Sequence, residues 1–365
     1  MIVIGIDPHK STHTATALDP ASHTELGSLR IDATTDGYTR LSNWAAQWPQ
    51  HTWAVENASG LGRHLSQWLL AQHAVVVDVP ATATARVREL SGSRRKNDRL
   101  DAAAAAGIAA AQGHSHPVDP EGPTTVLALL DEHRTNLTGR RTRIVNQLHA
   151  LLRDLLPGGA PSRNALTAAT ASRILEQVRA CSNVERIRVG LSRELIEEIT
   201  RLDGALTRNE KQMALMLDEH GTRLREVAGI GHIIAATLVG RTGRPDRFPS
   251  AAAFASYCGT APVQVASADF EVHRVSREGD RQLNCAIHMI ATTQIRMPGS
   301  AGRSFYDRYL AAHPPASSGR TAGVRARRAA KRALKRHIAG YVWKLMLADH
   351  NRRCSKSGRE SSAVA

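Results

Sequence analysis

Two short apolar runs near the start of the chain each end in a carboxylate. Asp7 follows residues 2–6, and Glu56 follows residues 52–55. Apolar runs of this length are typical of buried strands, and neighbouring strands of one sheet can bring the residues at their ends together. Asp98 and Asp101 stand three positions apart at the head of an alanine-rich stretch, so a helix there presents both on one face. The pattern predicts that four carboxylates converge.

Converging carboxylates repel one another unless a cation lies among them. Mg²⁺ is a hard cation that prefers oxygen ligands, and carboxylate sites with two metal ions are the usual machinery for cutting phosphodiesters. We therefore expect the four acids to bind Mg²⁺ and to be catalytic. For any single acid a helix cap or a salt bridge is the simpler explanation, and the hypothesis depends on the set.

Strand and helix patterns alternate through residues 1–113, which predicts a mixed α/β sheet. A meander of three strands followed by helix-separated strands is the order found in the ribonuclease H architecture. The predicted strands are residues 2–6, 13–18, 25–32, 52–56 and 74–79, and the predicted helices are 35–48, 61–72 and 98–112.

The remainder of the chain reads as mostly helical. Residues 114–220 are predicted to be a linker followed by coiled-coil helices at 124–156 and 184–220. The second helix carries a heptad seam from Leu195 to Met216 that includes Asn209. An antiparallel hairpin within one chain and a coiled coil between two chains both explain that seam. Residues 221–349 are expected to form a third, C-terminal domain, and 350–365 a flexible tail.

The positive charge lies in the last third of the chain. Residues 1–113 carry 10 basic and 10 acidic side chains, whereas residues 221–365 carry 24 and 9, which accounts for the net charge of +15. A segregated excess of this kind indicates a polyanionic partner, DNA or RNA. Cysteines without CxxC spacing, and the lack of an export leader or an apolar run of membrane-spanning length, favour a bacterial cytoplasmic protein, nucleoid-associated when bound.

Two further patterns indicate contact with nucleic-acid backbone. Gly229 and Gly231 lie between apolar segments in the spacing of a helix-hairpin-helix, which grips phosphates without reading sequence. An ordinary glycine-rich helix connection is the simpler alternative. Between residues 320 and 336 there are eight basic side chains and no acid, and one helix face there would present four of them: Arg325, Arg328, Arg332 and Lys335.

A stretch with little secondary-structure signal runs from residue 257 to 284. It contains Ser267, followed by Arg274, Arg277 and Arg281. A serine followed by clustered arginines could be a nucleophile for phosphoryl transfer, because cations stabilise the pentavalent phosphate. By composition alone, however, Ser267 is an ordinary loop serine. The histidines, His9 and His13 among them, show no metal-binding spacing and are predicted to be mostly solvated.

Taken together, these motifs resemble those of the DEDD transposases of the IS-one-ten (IS110) insertion-sequence family. The resemblance spans nearly the whole chain in the expected order. It is carried by the segments GIDPHK at 5–10, VENASG at 55–60, KNDRLDA at 96–102, the Gly229–Gly231 hairpin, GTAP at 259–262 and GDRQLN at 279–284.

That resemblance implies a RuvC-like ribonuclease H domain at the N-terminus, a coiled-coil region and a C-terminal transposase domain. It implies that the four acids bind Mg²⁺ and that a C-terminal serine forms a covalent phosphoserine with DNA. It further implies guidance by a structured noncoding bridge RNA, and dimers and tetramers whose active site joins the two domains from different subunits. The serine maps onto Ser267, which precedes Ala268 where the family has glycine, and Ser276 is the alternative.

From the sequence we therefore expect an RNA-guided, Mg²⁺-dependent serine transposase that moves its own insertion sequence. Two other functions remain compatible with the sequence. A metal-dependent junction endonuclease would use the same acids with water and no covalent step. A noncatalytic nucleic-acid-binding protein would need only the basic surface.

Overall fold

The structure is a computed structural model of the chain. It describes residues 1–84, 97–111, 116–160, 166–267, 270–275, 279–314 and 320–363, and for 262–275 and 356–363 it describes the backbone alone. The chain divides into two compact units, Met1–Glu121 and Gly122–Ala365. Within the described ranges, no helix is both long enough and apolar enough to cross a membrane.

The first unit is built on a six-stranded mixed sheet of order β3-β2-β1-β4-β5-β6. β1 to β3 form an antiparallel meander, β4 and β5 run parallel to β1, and β6 is antiparallel to β5. The strands are Ile2–Pro8, Thr12–Asp19, Thr24–Asp32, His51–Glu56, Val76–Val79 and His116–Pro117, and the helices are α1 (Thr35–Ala45), α2 (Arg63–Ala71) and α3 (Asp98–Ala111). A meander followed by parallel strands is the ribonuclease H-like order that the sequence predicts.

Apolar side chains cover both faces of this sheet. On one face, Ile4, Ile6 and Trp53 pack with α1 and α2. On the other, Val3 and Ala54 pack with the small residues of α3. Because alternate residues of β1 point to opposite faces, Val3 and Asp7 lie on the α3 side of the sheet. β1, in which Asp7 is the next-to-last residue, is therefore buried on both sides, which fixes its position.

The second unit begins with two long helices that pack against each other. They are α4 (Pro123–Leu155) and α6 (Asn183–His220), and the short α5 (Ala168–Glu176) packs on α6. Ion pairs between Arg141 and Asp203 and between Arg188 and Asp154 show that α4 and α6 are antiparallel. Seam residues Ile199, Leu202 and Met213 are fully buried in this pairing. The predicted seam thus packs within one chain, and a coiled coil between chains stays a prediction.

The C-terminal half of the second unit forms its largest apolar core. Leu238, Phe254, Ile287 and Leu334 are fully buried there. Its elements are α7 (His232–Thr242), α8 (Ala251–Tyr257), β7 (Pro262–Ser267), β8 (Phe270–Val275), α9 (Arg281–Arg296), α10 (Ala301–Ala312) and α11 (Arg320–Ala363), with 3₁₀ turns at Leu224–Glu226 and Pro245–Arg247.

Three features differ from the sequence-based expectation. β7 and β8 form a two-stranded hairpin where little secondary structure was predicted. Part of the predicted linker joins the first sheet as β6, so the unit extends to Glu121 instead of ending near residue 113. The backbone of α11 continues to Ala363, where a flexible tail was predicted from residue 350. Strand pairing explains the first two differences and continuation of the helix explains the third, since the local sequence signal is weak in all three segments.

Candidate functional site

Asp7, His9 and Asp98 form a cluster at the end of β1. Each offers one ligand atom, and these three atoms lie within 4.8 Å of one another. The imidazole of His9 lies between the two acids, with Nδ1 3.7 Å from Asp7 Oδ2 and Nε2 3.8 Å from Asp98 Oδ1. The second oxygen of Asp98 lies 3.9 Å from Arg30. The chain thus brings together two of its predicted metal ligands and one residue that was not predicted.

The close approach of α3 to β1 produces this cluster. A Cβ atom on Gly5 would lie 1.9 Å from the carbonyl oxygen of Ala102 and 2.6 Å from the amide nitrogen of Ala106. Only a residue without a side chain permits that contact. Because Gly5 precedes Asp7 by two residues on the same face of β1, the same contact brings the first turn of α3 to the end of the strand. Asp98 and Asp101 lie in that first turn.

The other two predicted acids adjoin the cluster. β1 and β4 run parallel with Ile6 opposite Val55, so Asp7 and Glu56 follow at neighbouring strand ends. A Glu56 carboxylate oxygen accepts a 2.5 Å hydrogen bond from the hydroxyl of Thr84. Asp101 lies one turn beyond Asp98 and is buried.

Electrostatics link all four acids. Burial raises the pKa of Asp7 to about 6; the nearby imidazole of His9 opposes that rise, and the negative charges of Glu56, Asp101 and Asp98 add to it. One carboxylate oxygen of Asp7, Oδ2, is buried without a hydrogen-bond partner, and so is Nδ1 of His9. Buried polar atoms are normally satisfied, so unsatisfied ligand atoms on two adjoining side chains mark a place where a cation fits.

The histidines were predicted to be mostly solvated and without metal-binding spacing, and the structure differs at His13 in its burial and at His9 in its acidic neighbours. His9 joins the acid cluster, and His13 is buried and stacks on the ring of Tyr38 at 5.7 Å between ring centroids. Burial also lowers the pKa of His13. The sequence spacing of His9 is not typical of a metal ligand, because its two acidic neighbours, Asp7 in β1 and Asp98 in α3, are about ninety residues apart. The sequence signal for His9 was its position two residues after the strand-end acid Asp7.

Ser267 is the last residue of β7, paired with Phe270 of β8. Arg274 lies in β8 opposite Val263. The side chains of these residues, and Ser276 and Arg277 altogether, lie outside the described part of the chain. Arg281 is exposed at the start of α9. Their roles therefore remain as the sequence predicts them.

The glycine pair lies between a 3₁₀ turn, Leu224–Glu226, and α7. The sequence pattern predicts a full helix before the glycines, and the structure has this single turn there. Gly229 has a φ of 82°, which favours glycine, and Gly231 is the exposed N-cap of α7. A helix N-terminus that faces solvent can accept a phosphate. Contact of this turn with nucleic acid stays a prediction.

The basic stripe of α11 divides into two kinds of residue. Arg325, Arg328 and Arg332 are exposed, as a phosphate-binding surface requires. Lys335 is only partly exposed, and its ammonium donates a 2.6 Å hydrogen bond to Oδ1 of Asn284. A lysine engaged in this way inside the unit is a weaker candidate for phosphate contact than its three neighbours.

Known protein families match the chain over most of its length. A transposase family model matches residues 4–157, and a model described as the transposase IS116/IS110/IS902 family matches residues 221–307. The chain is 25% identical over 352 residues to an uncharacterized 44.8 kDa protein of insertion element IS116 from Streptomyces clavuligerus, with 84% of this chain and 87% of that protein covered. It is 24% identical over 360 residues to an uncharacterized 43.6 kDa protein of insertion element IS110 from Streptomyces coelicolor, with 85% and 88% covered.

Among solved structures, RuvC from T. thermophilus in complex with a Holliday junction substrate aligns at 15% identity with a TM-score of 0.25, covering 32% of this chain and 99% of that one. A TM-score this low adds nothing to the fold assignment, which depends on the strand order. The two family models cover both the acid-bearing segment and the segment with the glycine pair and Ser267. The chain belongs to the IS116/IS110/IS902 family of insertion-sequence transposases.

Proposed function

We propose that this protein is the transposase of its own insertion sequence and that it cuts and rejoins DNA by divalent-metal-dependent serine chemistry under the guidance of a structured RNA. The observation that carries the proposal is the cluster at the end of β1. Three ligand atoms of Asp7, His9 and Asp98 lie within 4.8 Å, and Asp7 Oδ2 is buried without a hydrogen-bond partner.

The donor set suits a divalent cation. Asp7, Glu56, Asp98 and Asp101 would hold Mg²⁺ through oxygen ligands, and His9 would be an additional ligand or a hydrogen-bond donor beside it. Thr84 fixes one oxygen of Glu56, as residues behind metal ligands commonly do. When bound, the ion would polarise the scissile phosphate as a Lewis acid. The raised pKa of Asp7 has the same origin as this affinity, since the surroundings disfavour a negative charge that no cation balances.

The protein's own nucleophile is proposed to be Ser267. Its hydroxyl oxygen forms a new P–O bond with the scissile phosphate, and the bond to one DNA oxygen breaks, so that strand leaves as a hydroxyl. The resulting phosphoserine conserves the bond until a hydroxyl of another strand attacks it and restores the serine. Arg274, Arg277 and Arg281 follow Ser267 in the sequence and are proposed to contact the phosphate, where their charge would offset that of the pentavalent state.

Nucleic-acid partners are proposed from the charge distribution. The segment 221–365 carries 24 basic and 9 acidic residues, and Arg325, Arg328 and Arg332 are exposed on one helix. This charge suits both the target and donor DNA and a guide RNA, because all are polyanions. A homodimer or homotetramer is proposed as the working form.

A trapping experiment tests the proposal. The full-length protein is incubated with Mg²⁺, labelled DNA spanning an end of its element, and RNA transcribed from the noncoding stretch beside its gene. We expect a covalent protein–DNA adduct in the wild type, and none with Ser267→Ala, with Asp7→Asn or after chelation of the metal. Ser276→Ala is the matched control and should keep the adduct.

Each rival gives a different result. Cleaved DNA without an adduct would indicate a junction endonuclease that uses water. Nucleic-acid binding without cleavage or adduct in the wild type, and unchanged in Asp7→Asn, would indicate a noncatalytic binding protein. An adduct that persists in Ser267→Ala but disappears in Ser276→Ala would move the nucleophile to Ser276.

A further inference from the structure

The chain enters and leaves the β7–β8 hairpin at two segments that are fastened to each other. At the entry, the side-chain amide of Asn284 donates hydrogen bonds to the carbonyl oxygens of Cys258 (2.9 Å) and Gly259 (2.7 Å). At the exit, the backbone amide of Asp280 donates to the carbonyl oxygen of Tyr257 at 2.8 Å. The segments on both sides of the hairpin are therefore held by the N-cap and the first turn of α9.

Lys335 fixes the orientation of that amide. Its Nζ donates to Oδ1 of Asn284 at 2.6 Å, which leaves the NH₂ group of Asn284 facing the two carbonyls. Lys335 is partly buried, and burial lowers the pKa of its ammonium. Withdrawing an ammonium from water is unfavourable unless its hydrogen bonds compensate. This contact therefore distinguishes Lys335 from the exposed arginines earlier on α11.

The helix that carries Asn284 is itself held in place. Asp280 caps α9 by accepting hydrogen bonds from the amides of Gln282 (2.8 Å) and Leu283 (2.9 Å). The guanidinium of Arg241 lies 3.5 Å from the other oxygen of Asp280 and donates to buried Asp131 at 2.5 Å. The start of α9 is thus tied to α7 and α4. Because the start of α9 is held in this way, it can set the direction in which the β7–β8 hairpin extends.

The hairpin needs such a support. An isolated two-stranded hairpin is marginally stable, so its orientation depends on its base. Ser267 lies at the far end of the six-residue strand β7. A strand of that length spans about 20 Å, so a tilt of about 5° at its base moves the far end by about 1.7 Å. A misplacement of about 1 Å can lower a reaction rate roughly a hundredfold.

We propose that Asn284 and Lys335 are positioning residues that aim the hairpin carrying Ser267, and that Lys335 serves this role instead of contacting phosphate. The proposal rests on the serine chemistry proposed above. Neither residue touches the reacting atoms. Both act through the carbonyls of Cys258 and Gly259, in the segment that leads into β7.

Single-turnover kinetics test this. The same Mg²⁺, element-end DNA and flanking RNA are used with the full-length protein, and the rate of adduct formation and the affinity for DNA are measured separately. Asn284→Asp keeps the shape of the side chain but replaces the donating NH₂ with an acceptor that repels both carbonyls. Lys335→Met keeps the packing of the stem and removes the donor. We expect both variants to form the adduct about ten- to a hundredfold more slowly at unchanged DNA affinity.

Two controls separate positioning from other roles. Lys335→Arg restores a cationic donor and should recover most of the rate. Arg332→Met removes an exposed charge from the same helix and should weaken DNA binding and its salt dependence without slowing the bound complex.

The outcomes are distinct. Variants that form the adduct at the wild-type rate would overturn the positioning role alone, since the wild-type adduct would stand. A Lys335→Met variant that loses DNA affinity as Arg332→Met does would show that Lys335 contacts phosphate and would also overturn it. A wild-type protein without a Ser267 adduct would refute the serine chemistry and, with it, this inference.

Discussion

Gly5 is the residue on which the meeting of the acids depends most directly. A Cβ atom there would lie 1.9 Å from the backbone oxygen of Ala102, and ordinary contact begins near 3.4 Å, so Gly5→Ala must push α3 back by about 1.5 Å. The clashing atoms belong to backbone and cannot rotate away. Overpacking of this kind costs about 1–3 kcal/mol. Asp98 and Asp101 would retreat with the helix, away from Asp7.

The expected result is a coupled loss of stability and metal affinity. For the Gly5→Ala variant, isothermal titration with Mg²⁺ and with Mn²⁺ should show affinity lower by about tenfold or more, since each tenfold corresponds to about 1.4 kcal/mol. Thermal unfolding without metal should begin at least several degrees lower, at roughly 4 °C per kcal/mol.

Gly107 provides the matched control for this experiment. It lies on the same helix, and a Cβ atom there would meet only the Leu18 side chain at 3.9 Å. Gly107→Ala should bind metal as the wild type does and should gain up to about 1 kcal/mol from helix propensity. If Gly5→Ala bound metal with wild-type affinity, the approach of α3 to β1 would not be what assembles the site.

Three further predictions concern single side chains. Because the pKa of Asp7 is raised to about 6 from an ordinary 3.8, the metal-free protein should gain stability as pH falls from about 6 toward 4. Asp7→Asn should raise the free energy of unfolding of the metal-free protein at pH 7 by on the order of 1–3 kcal/mol, and with it the unfolding temperature, while abolishing the further rise that Mg²⁺ produces. A lower unfolding temperature in metal-free Asp7→Asn would contradict this. Thr84→Val removes the donor to Glu56 and should cost about 1 kcal/mol in urea unfolding and severalfold in metal affinity by titration; unchanged affinity would mean that Glu56 needs no support. The side-chain amide of Asn209 donates to the carbonyl of Leu130 but leaves Oδ1 buried without a partner. Asn209→Leu should therefore stabilise the α4–α6 pair by about 1 kcal/mol in urea unfolding. A destabilised variant would show that the hydrogen bond of Asn209 contributes more than its unsatisfied oxygen costs.

The sequence predicted most of the first unit because its elements carry strong local patterns. The strands that carry Asp7 and Glu56 contain the runs IVIGI and TWAV before those acids. The helix beginning at Asp98 is rich in alanine and opens with acids, which favour a helix N-terminus. Such patterns need no knowledge of distant contacts. The convergence of acids from β1, β4 and α3 followed from that order of elements.

What the sequence left open depends on contacts between distant segments. The β7–β8 hairpin is anchored by Asn284 and Asp280, which follow it in the chain. Because its position depends on these later residues, the sequence of the two strands alone gives little indication of the hairpin. Lys335 has the helical spacing of a phosphate-binding residue, yet its partner is fifty-one residues away. His9 was likewise missed because its neighbour Asp98 comes from another element. Periodicity identifies a helix face but not what that face meets.

The antiparallel pair of α4 and α6 also has a consequence for how the chain folds while it is being synthesised. The end of the pair nearest α5 has an apolar cluster of its own, which includes Leu148, Leu152, Leu175 and Ile199 and draws on residues before His220 alone. A nascent chain could therefore close this hairpin before α7 to α11 are synthesised, because the contacts are local and such structures form quickly. The later helices would then pack against the folded α4–α6 pair, which contributes Leu127, Met213 and Leu217 to their core.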